Sequence, residues 1–303
     1  MPDSPTANAP KPAVAPTPVI SAKPVVLPAP GRGEDVQVRV SAPATGTDLP
    51  VIVFSHGFGW SMDGYAPLAD HWAAHGFVVV QPTHLDSRTL GIPADDPRTP
   101  RIWRIRIEDL TRALDGLDVL EAAVPGLAGR VDHDRIAVAG HSWGAQTAST
   151  LLGARILGAD GVPGEDMSDP RVKAGVLFAL TGLGDDLTPF AREHLPFMRP
   201  SFDTMTPPSL FVAGDSDQSH LSTRGPDWFT WFCRGGPGVH ARKESAPVFA
   251  TRSVAVSRRF HKGARSARNR FCPAAPGKAN TRPGRHRIAD KNTKAGCVCG
   301  GWL

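Results

Sequence analysis

Arg135-Ile136-Ala137-Val138-Ala139-Gly140-His141-Ser142-Trp143-Gly144-Ala145 decides the fold. Ile136 to Ala139 is a short, unbroken apolar run, the pattern of a strand buried on both faces of a parallel sheet. Ala145, Ala148, Leu151 and Leu152 follow at helical spacing. Between the two lies Gly140-His141-Ser142-Trp143-Gly144, a G-x-S-x-G sequence. A serine displayed on a sharp strand-to-helix turn needs small residues on either side. The helix that follows aims its positive end at charge developing beside that serine. The pentapeptide alone occurs by chance; the strand before it and the helix after it make it specific.

Outward from the turn the same rhythm repeats. Val51-Ile52-Val53-Phe54, Phe77-Val78-Val79-Val80, Val176-Leu177-Phe178 and Leu210-Phe211-Val212 are further apolar runs. Helices are expected between them. One runs from Tyr65 to His75 and ends at Gly76. Another carries Ile107, Leu110, Leu114, Leu117 and Leu120 as a single stripe. Strand-helix alternation at this spacing predicts an α/β fold, a doubly wound and mostly parallel sheet with right-handed crossovers. Val25 to Leu27 and the alternating Val36 to Val40 are expected to pair antiparallel at one edge.

Directly after the first central strand comes Ser55-His56-Gly57-Phe58-Gly59. A glycine-rich turn there lets backbone N–H groups approach a carbonyl oxygen. The Phe58 and Trp143 N–H groups are therefore the expected oxyanion hole, each donor contributing a few kcal/mol, roughly, to the transition state. His84 and Asp86 follow the second central strand at the sheet's carboxyl edge, where ligands bind in such folds. Either they line a pocket or they are ordinary polar loop residues. Phe58, Trp60 and Trp143 are candidates for an apolar wall.

Together, the FSHGFG segment at 54–59, Val78 to His84, the GHSWG turn and Val212-Ala213-Gly214-Asp215-Ser216-Asp217 resemble the α/β-hydrolases. Within them the chain is most similar to bacterial esterases grouped with dienelactone hydrolases, chlorophyllases and platelet-activating-factor acetylhydrolases. Polyester and cutin hydrolases share the two motifs. The resemblance covers roughly residues 34 to 231. It implies a serine hydrolase of carboxylic esters with Ser142 as nucleophile, an acyl-enzyme intermediate, and small-molecule or lipid-like ester substrates. That chemistry needs no metal or organic cofactor.

In such proteins the order along the chain is serine, acid, histidine. Asp217, in the turn after the strand at 210–212, is the leading acid. Asp215 beside it stays open, as do Asp185 and Asp186 one strand earlier. The histidine departs from the family's pattern. His220 follows Asp217 too closely for an intervening strand, and His240 follows a Gly-Pro breaker. His261 is best placed, because Val248 to Val256 reads as a strand before it; His286 lies farther on. Arg258, Arg259 and Lys262 flank His261 and would oppose formation of an imidazolium.

Charge divides the chain. Residues 234–303 hold 16 Lys and Arg against only Glu244 and Asp290, whereas the whole chain's formal net charge is +5. The body before residue 234 is therefore acidic, and its charge does not mark it as a nucleic-acid binder. The expected organisation is a Pro/Ala-rich flexible arm at 1–33, an α/β-hydrolase domain at 34–233 and a basic, disordered tail at 234–303. The tail has the composition of a GC-rich gene translated in a shifted frame. A second reading follows: an impaired hydrolase domain lacking the triad histidine, with a tail binding anionic surfaces. No nucleic-acid motif supports a specific partner of that kind. All four cysteines lie at or after Cys233, so no disulfide framework is expected. Cys297-Val298-Cys299 has no companion pair, which argues against zinc. No apolar run reaches the ~18 residues of a membrane span. The start lacks a basic and then apolar leader, so a cytoplasmic location is expected.

Overall fold

The computed structural model describes residues 15–182, 184, 186–213, 217 and 219–224. All belong to the first of two compact units, Met1–Arg259 and Phe260–Leu303. In chain order the elements are β1 (Val19–Leu27), β2 (Val36–Pro43), β3 (Leu49–Ser55), α1 (Ala66–Ala74), β4 (Val78–Pro82), α2 (Ile102–Asp115), α3 (Leu117–Ala122), β5 (Val131–His141) and α4 (Trp143–Leu151). Then follow β6 (Arg155–Ile156), β7 (Val172–Phe178), α5 (Pro189–His194), β8 (Pro200–Ser201) and β9 (Ser209–Val212).

Seven strands form one sheet in the order β1-β2-β4-β3-β5-β7-β9. From β4 to β9 the pairs are parallel; β1 and β2 are antiparallel. The chain steps from β3 outward to β4, then crosses back to β5 on the other side of β3. This reversal opens a crevice beyond the carboxyl ends of β3 and β5, the place where ligands sit in open α/β sheets.

The apolar runs have a direct explanation in burial. Along β3, Val51 and Val53 pack with Leu110, Leu114, Ala145 and Ala148 from α2 and α4. The alternate residues, Ile52 and Phe54, pack with Tyr65, Leu68 and Ala139 on the opposite face. Helices cover both faces, so neither set is polar. Leu110 is fully buried, and truncating such a leucine to alanine costs about 2–5 kcal/mol.

Two local expectations are refined. The edge pair exists, but β1 begins at Val19, so residues 19–27 of the expected arm are sheet. Pro24 lies at a register shift between Ala22 and Val25, on an edge strand where a missing N–H is tolerated. The stripe from Ile107 to Leu120 is buried as expected, yet it spans two helices broken at Gly116. A β-carbon at Gly116 would stand 2.9 Å from Leu27 Cδ2, so the break admits the end of β1. Residues 186–206 contain α5 and β8, and β8 pairs with β6.

Candidate active site

The strand-turn-helix around Ser142 is built as its sequence requires. β5 ends at His141, α4 starts at Trp143, and Ser142 between them has φ 55° and ψ −123°. A positive φ at serine is strained by about 1–3 kcal/mol and persists only where its surroundings enforce it. Its N–H donates to the Phe178 carbonyl at 2.9 Å, and its own carbonyl accepts from Ala145 N at 2.9 Å. The flanking glycines are obligatory. A β-carbon at Gly140 would collide with the Gly144 carbonyl, and one at Gly144 with the carbonyls of Ser55 and His56. The helix terminus is thereby pressed against the end of β3.

That end carries the glycine-rich turn. Trp60 N donates to the Gly57 carbonyl at 3.1 Å, closing the turn. Gly57 N donates to the Tyr65 hydroxyl at 3.2 Å, and that hydroxyl contacts His141 Nδ1 at 2.8 Å. Burial pushes the Tyr65 phenol up to about 12, so it keeps its proton and can donate to His141. Gly59 N donates to Asp86 Oδ2 at 3.0 Å. The Phe58 ring, partly exposed, lies 5.7 Å from the Trp143 ring. As the first residue of α4, Trp143 has no carbonyl within the helix to receive its N–H.

Beneath this turn runs a buried polar chain. Ser55 Oγ lies 2.9 Å from His84 Nε2, and His84 Nδ1 lies 2.9 Å from Asp109 Oδ2. Arg32 grips the same carboxylate at 2.7 and 3.0 Å. The connectivity is that of a nucleophile, base and acid, yet all three groups are sealed from solvent. Burial, then the positive charge of Arg106, holds His84 well below the usual imidazole range. His84 is therefore a neutral link that donates to Asp109 and accepts from Ser55. His56, lowered to about 4 chiefly by burial, is neutral too: it accepts from His84 N at 3.0 Å and donates to the Gly57 carbonyl at 2.7 Å. Burial pushes Asp109 up to about 6, which leaves it ionised at neutral pH against Arg32.

His84 and Asp86 thus belong to the support of the turn and do not line an open pocket. Arg106 and Asp109, which complete that support, escaped the sequence reading. The available signal was two charged residues on the buried stripe of α2, among Ile102, Leu110 and Ala113.

Ser142, Phe58 and Trp143 come together at the carboxyl edge of adjacent strands β3 and β5. Asp217 is half-buried beyond the end of β9. His261, His240, His286, Asp215 and Asp185 lie outside the described residues. Asp186 is buried and accepts from Ser222 Oγ at 2.7 Å, with Arg224 Nε at 3.3 Å. His220 is exposed. From Phe58 a row of rings continues through Trp143 and Phe197, 5.4 Å apart, to Trp103, 6.3 Å from Phe197. It ends beside a cavity of about 370 Å³ whose lining includes Trp103, Ile156, Leu157, Val162 and Met167.

Among the described residues Asp118, Glu121 and His133 bring three donor atoms within 4.8 Å of one another. Both ring nitrogens of His133 face carboxylates, at 3.0 Å from Glu121 and 3.9 Å from Asp118. The cluster sits at the start of β5, at the opposite end of the strand from Ser142. No described helix is long and apolar enough to cross a membrane.

A model of the family described as "Alpha/beta hydrolase family" matches residues 52–283. The chain belongs to this family. The match takes in both turns and runs past the composition break at residue 233. A carboxymethylenebutenolidase homolog of Xenopus tropicalis is 26% identical over 152 residues, 48% of this chain and 54% of that protein. The chain therefore spans about half the length of this curated relative. Among solved structures it is similar to an esterase of Pyrobaculum calidifontis, at 22% identity and TM-score 0.40, over 63% of this chain and 65% of that one. It is also similar to EstE1, a carboxylesterase cloned from a metagenomic library, at 25% identity and TM-score 0.39, over 60% and 54%.

Proposed function

We propose that this hydrolase cleaves carboxylic esters through an acyl-enzyme on Ser142. The observation that carries the reading is the strained serine at φ 55° between two glycines that admit no β-carbon, at the head of α4. Such strain has no structural purpose of its own and is typical of a displayed nucleophile. The Ser142 hydroxyl attacks the ester carbonyl, and the oxyanion rests on the N–H groups of Phe58 and Trp143. The leaving alcohol departs, and water releases the acid by the same route. The apolar acyl group lies along Phe58, Trp143 and Phe197, so esters with aromatic or aliphatic acyl groups are the expected substrates.

Asp217 is the proposed acid. Its position after β9 supports it, and so does the engagement of Asp186 with Ser222 and Arg224. His261 is the proposed base; the family match extends through it. We retain 34–233 as the α/β-hydrolase domain and 234–303 as a basic tail.

Purified full-length chain and Ser142→Ala should be compared on p-nitrophenyl acetate and butyrate. The reading expects turnover by the wild type and a loss on the order of a millionfold in the variant. Equal rates for the two would overturn it. His261→Ala should match Ser142→Ala; full activity there would remove His261 as the base while leaving the serine in place.

A further inference from the structure

We infer that Arg106 is the positioning residue of this site: one buried guanidinium clamps both turns that supply the oxyanion hole. The inference rests on the Ser142 reading above. Arg106 is 0% exposed in the middle of α2, an element that contributes no backbone to either turn. Its side chain reaches both. Nη2 donates to the His56 carbonyl, which fixes the peptide two residues before the Phe58 N–H. The same nitrogen lies 3.3 Å from Ser55 Oγ. Nη1 donates to Asp86 Oδ1, and the other oxygen of that carboxylate receives Gly59 N at 3.0 Å, just after Phe58. The glycine-rich turn is thus held on both sides of Phe58 by one planar group.

The serine turn is held by the same group. Nε donates to Thr147 Oγ1 at 3.2 Å, one helical turn into α4, and Thr147 in turn bonds the Trp143 carbonyl at 3.0 Å. The guanidinium carbon also stands 4.8 Å from the centre of the Trp143 ring, a cation–π contact in a solvent-free setting. Phe58 and Trp143 are separated by 85 positions in sequence, and their N–H groups must converge on one oxygen to within a few tenths of an ångström. A flat fork with five donors suits that task. A lysine ammonium, a point charge with three rotatable donors, does not.

The test uses the full chain with Arg106→Lys, followed on p-nitrophenyl acetate, with fluorophosphonate labelling to count competent serines. The clamp expects kcat per labelled site to fall roughly a hundredfold, the usual effect of losing an oxyanion donor, with KM within about twofold. A merely structural arginine would lower the number of labelled sites and leave kcat per site alone; that result overturns the inference. Should Arg106→Lys not fold, Thr147→Val removes at constant shape the hydroxyl that links Arg106 Nε to the Trp143 carbonyl. It should lower kcat several-fold per site, and no change there overturns the clamp as well. If wild-type chain neither turns over nor labels, the Ser142 reading itself fails. Amide exchange then decides the clamp alone: unchanged protection of the Gly59 N–H, which bonds the carboxylate Arg106 holds, overturns it in Arg106→Lys, and exchange about tenfold faster supports it.

Discussion

Gly144, at the head of α4, lies so close under the Ser55 carbonyl at the end of β3 that no β-carbon fits between them. This contact welds the serine turn to the glycine-rich turn, and each side of the proposed site depends on the other. Gly144→Ala must push α4 away from β3, which breaks packing in the middle of the sheet. A loss of about 3 kcal/mol or more is expected from overpacking against backbone, read as a lower urea midpoint or as failure to accumulate folded chain. Gly140→Ala should behave alike, whereas Gly76→Ala, which meets nothing within 4 Å, should cost only the positive-φ penalty of about 1 kcal/mol.

Ser142 should be a site where function opposes stability. Its side chain makes no cap bond to α4, so nothing is lost there on truncation, while the φ of 55° disfavours any β-carbon. Ser142→Gly is expected to raise stability by about 1 kcal/mol and the melting temperature by a few degrees, while abolishing turnover. Calorimetry of the two chains checks it; a lower melting temperature in Ser142→Gly would show that the turn is unstrained.

Asp109 is expected to be a stability residue. Removing it leaves Arg32 buried beside a neutral His84, an uncompensated charge that costs about 3–5 kcal/mol. Asp109→Ala should lose that much in urea unfolding. An effect under 1 kcal/mol would mean that the Arg32 pair does not form.

Much of the fold was legible because the sheet is buried on both faces: Val51 to Phe54 and Ile136 to Ala139 are apolar without interruption only in that setting. The serine turn was legible for a related reason, since tight backbone approach admits only glycine at 140 and 144. The support beneath the two turns was not. Arg106 and Asp109 sit on a stripe that reads as apolar, and their partners Asp86, His84 and Arg32 arrive from distant segments. Burial of paired charges leaves no periodic trace, so His84 read as a loop residue at a pocket edge. β1 was foreseen only in part because Pro24 and Pro28 mask a strand that needs few backbone donors at the sheet's edge.

Acid should destabilise the fold through the same support. The unfolded chain protonates His56 and His84 near pH 6.5, while the folded chain holds both lower, His56 at about 4. Stability from these two groups is therefore present above pH 6.5 and lost as pH falls below it. Asp109 acts in the opposite sense: its folded value of about 6 lies above the unfolded one, so the folded state gains a proton between pH 6 and 4. Two groups favour unfolding as they bind protons and one opposes it, so the net effect of acid through this support is destabilising. Urea midpoints at pH 7, 6 and 5 should fall in step; equal midpoints would mean that the histidines are not held neutral.

The most direct measurement is labelling of the full chain with a fluorophosphonate followed by peptide mass mapping. The account predicts a single adduct on Ser142, absent from Ser142→Ala, with Ser55 untouched because it is sealed beneath the turn. No adduct on folded chain, or an adduct on Ser55, would contradict it.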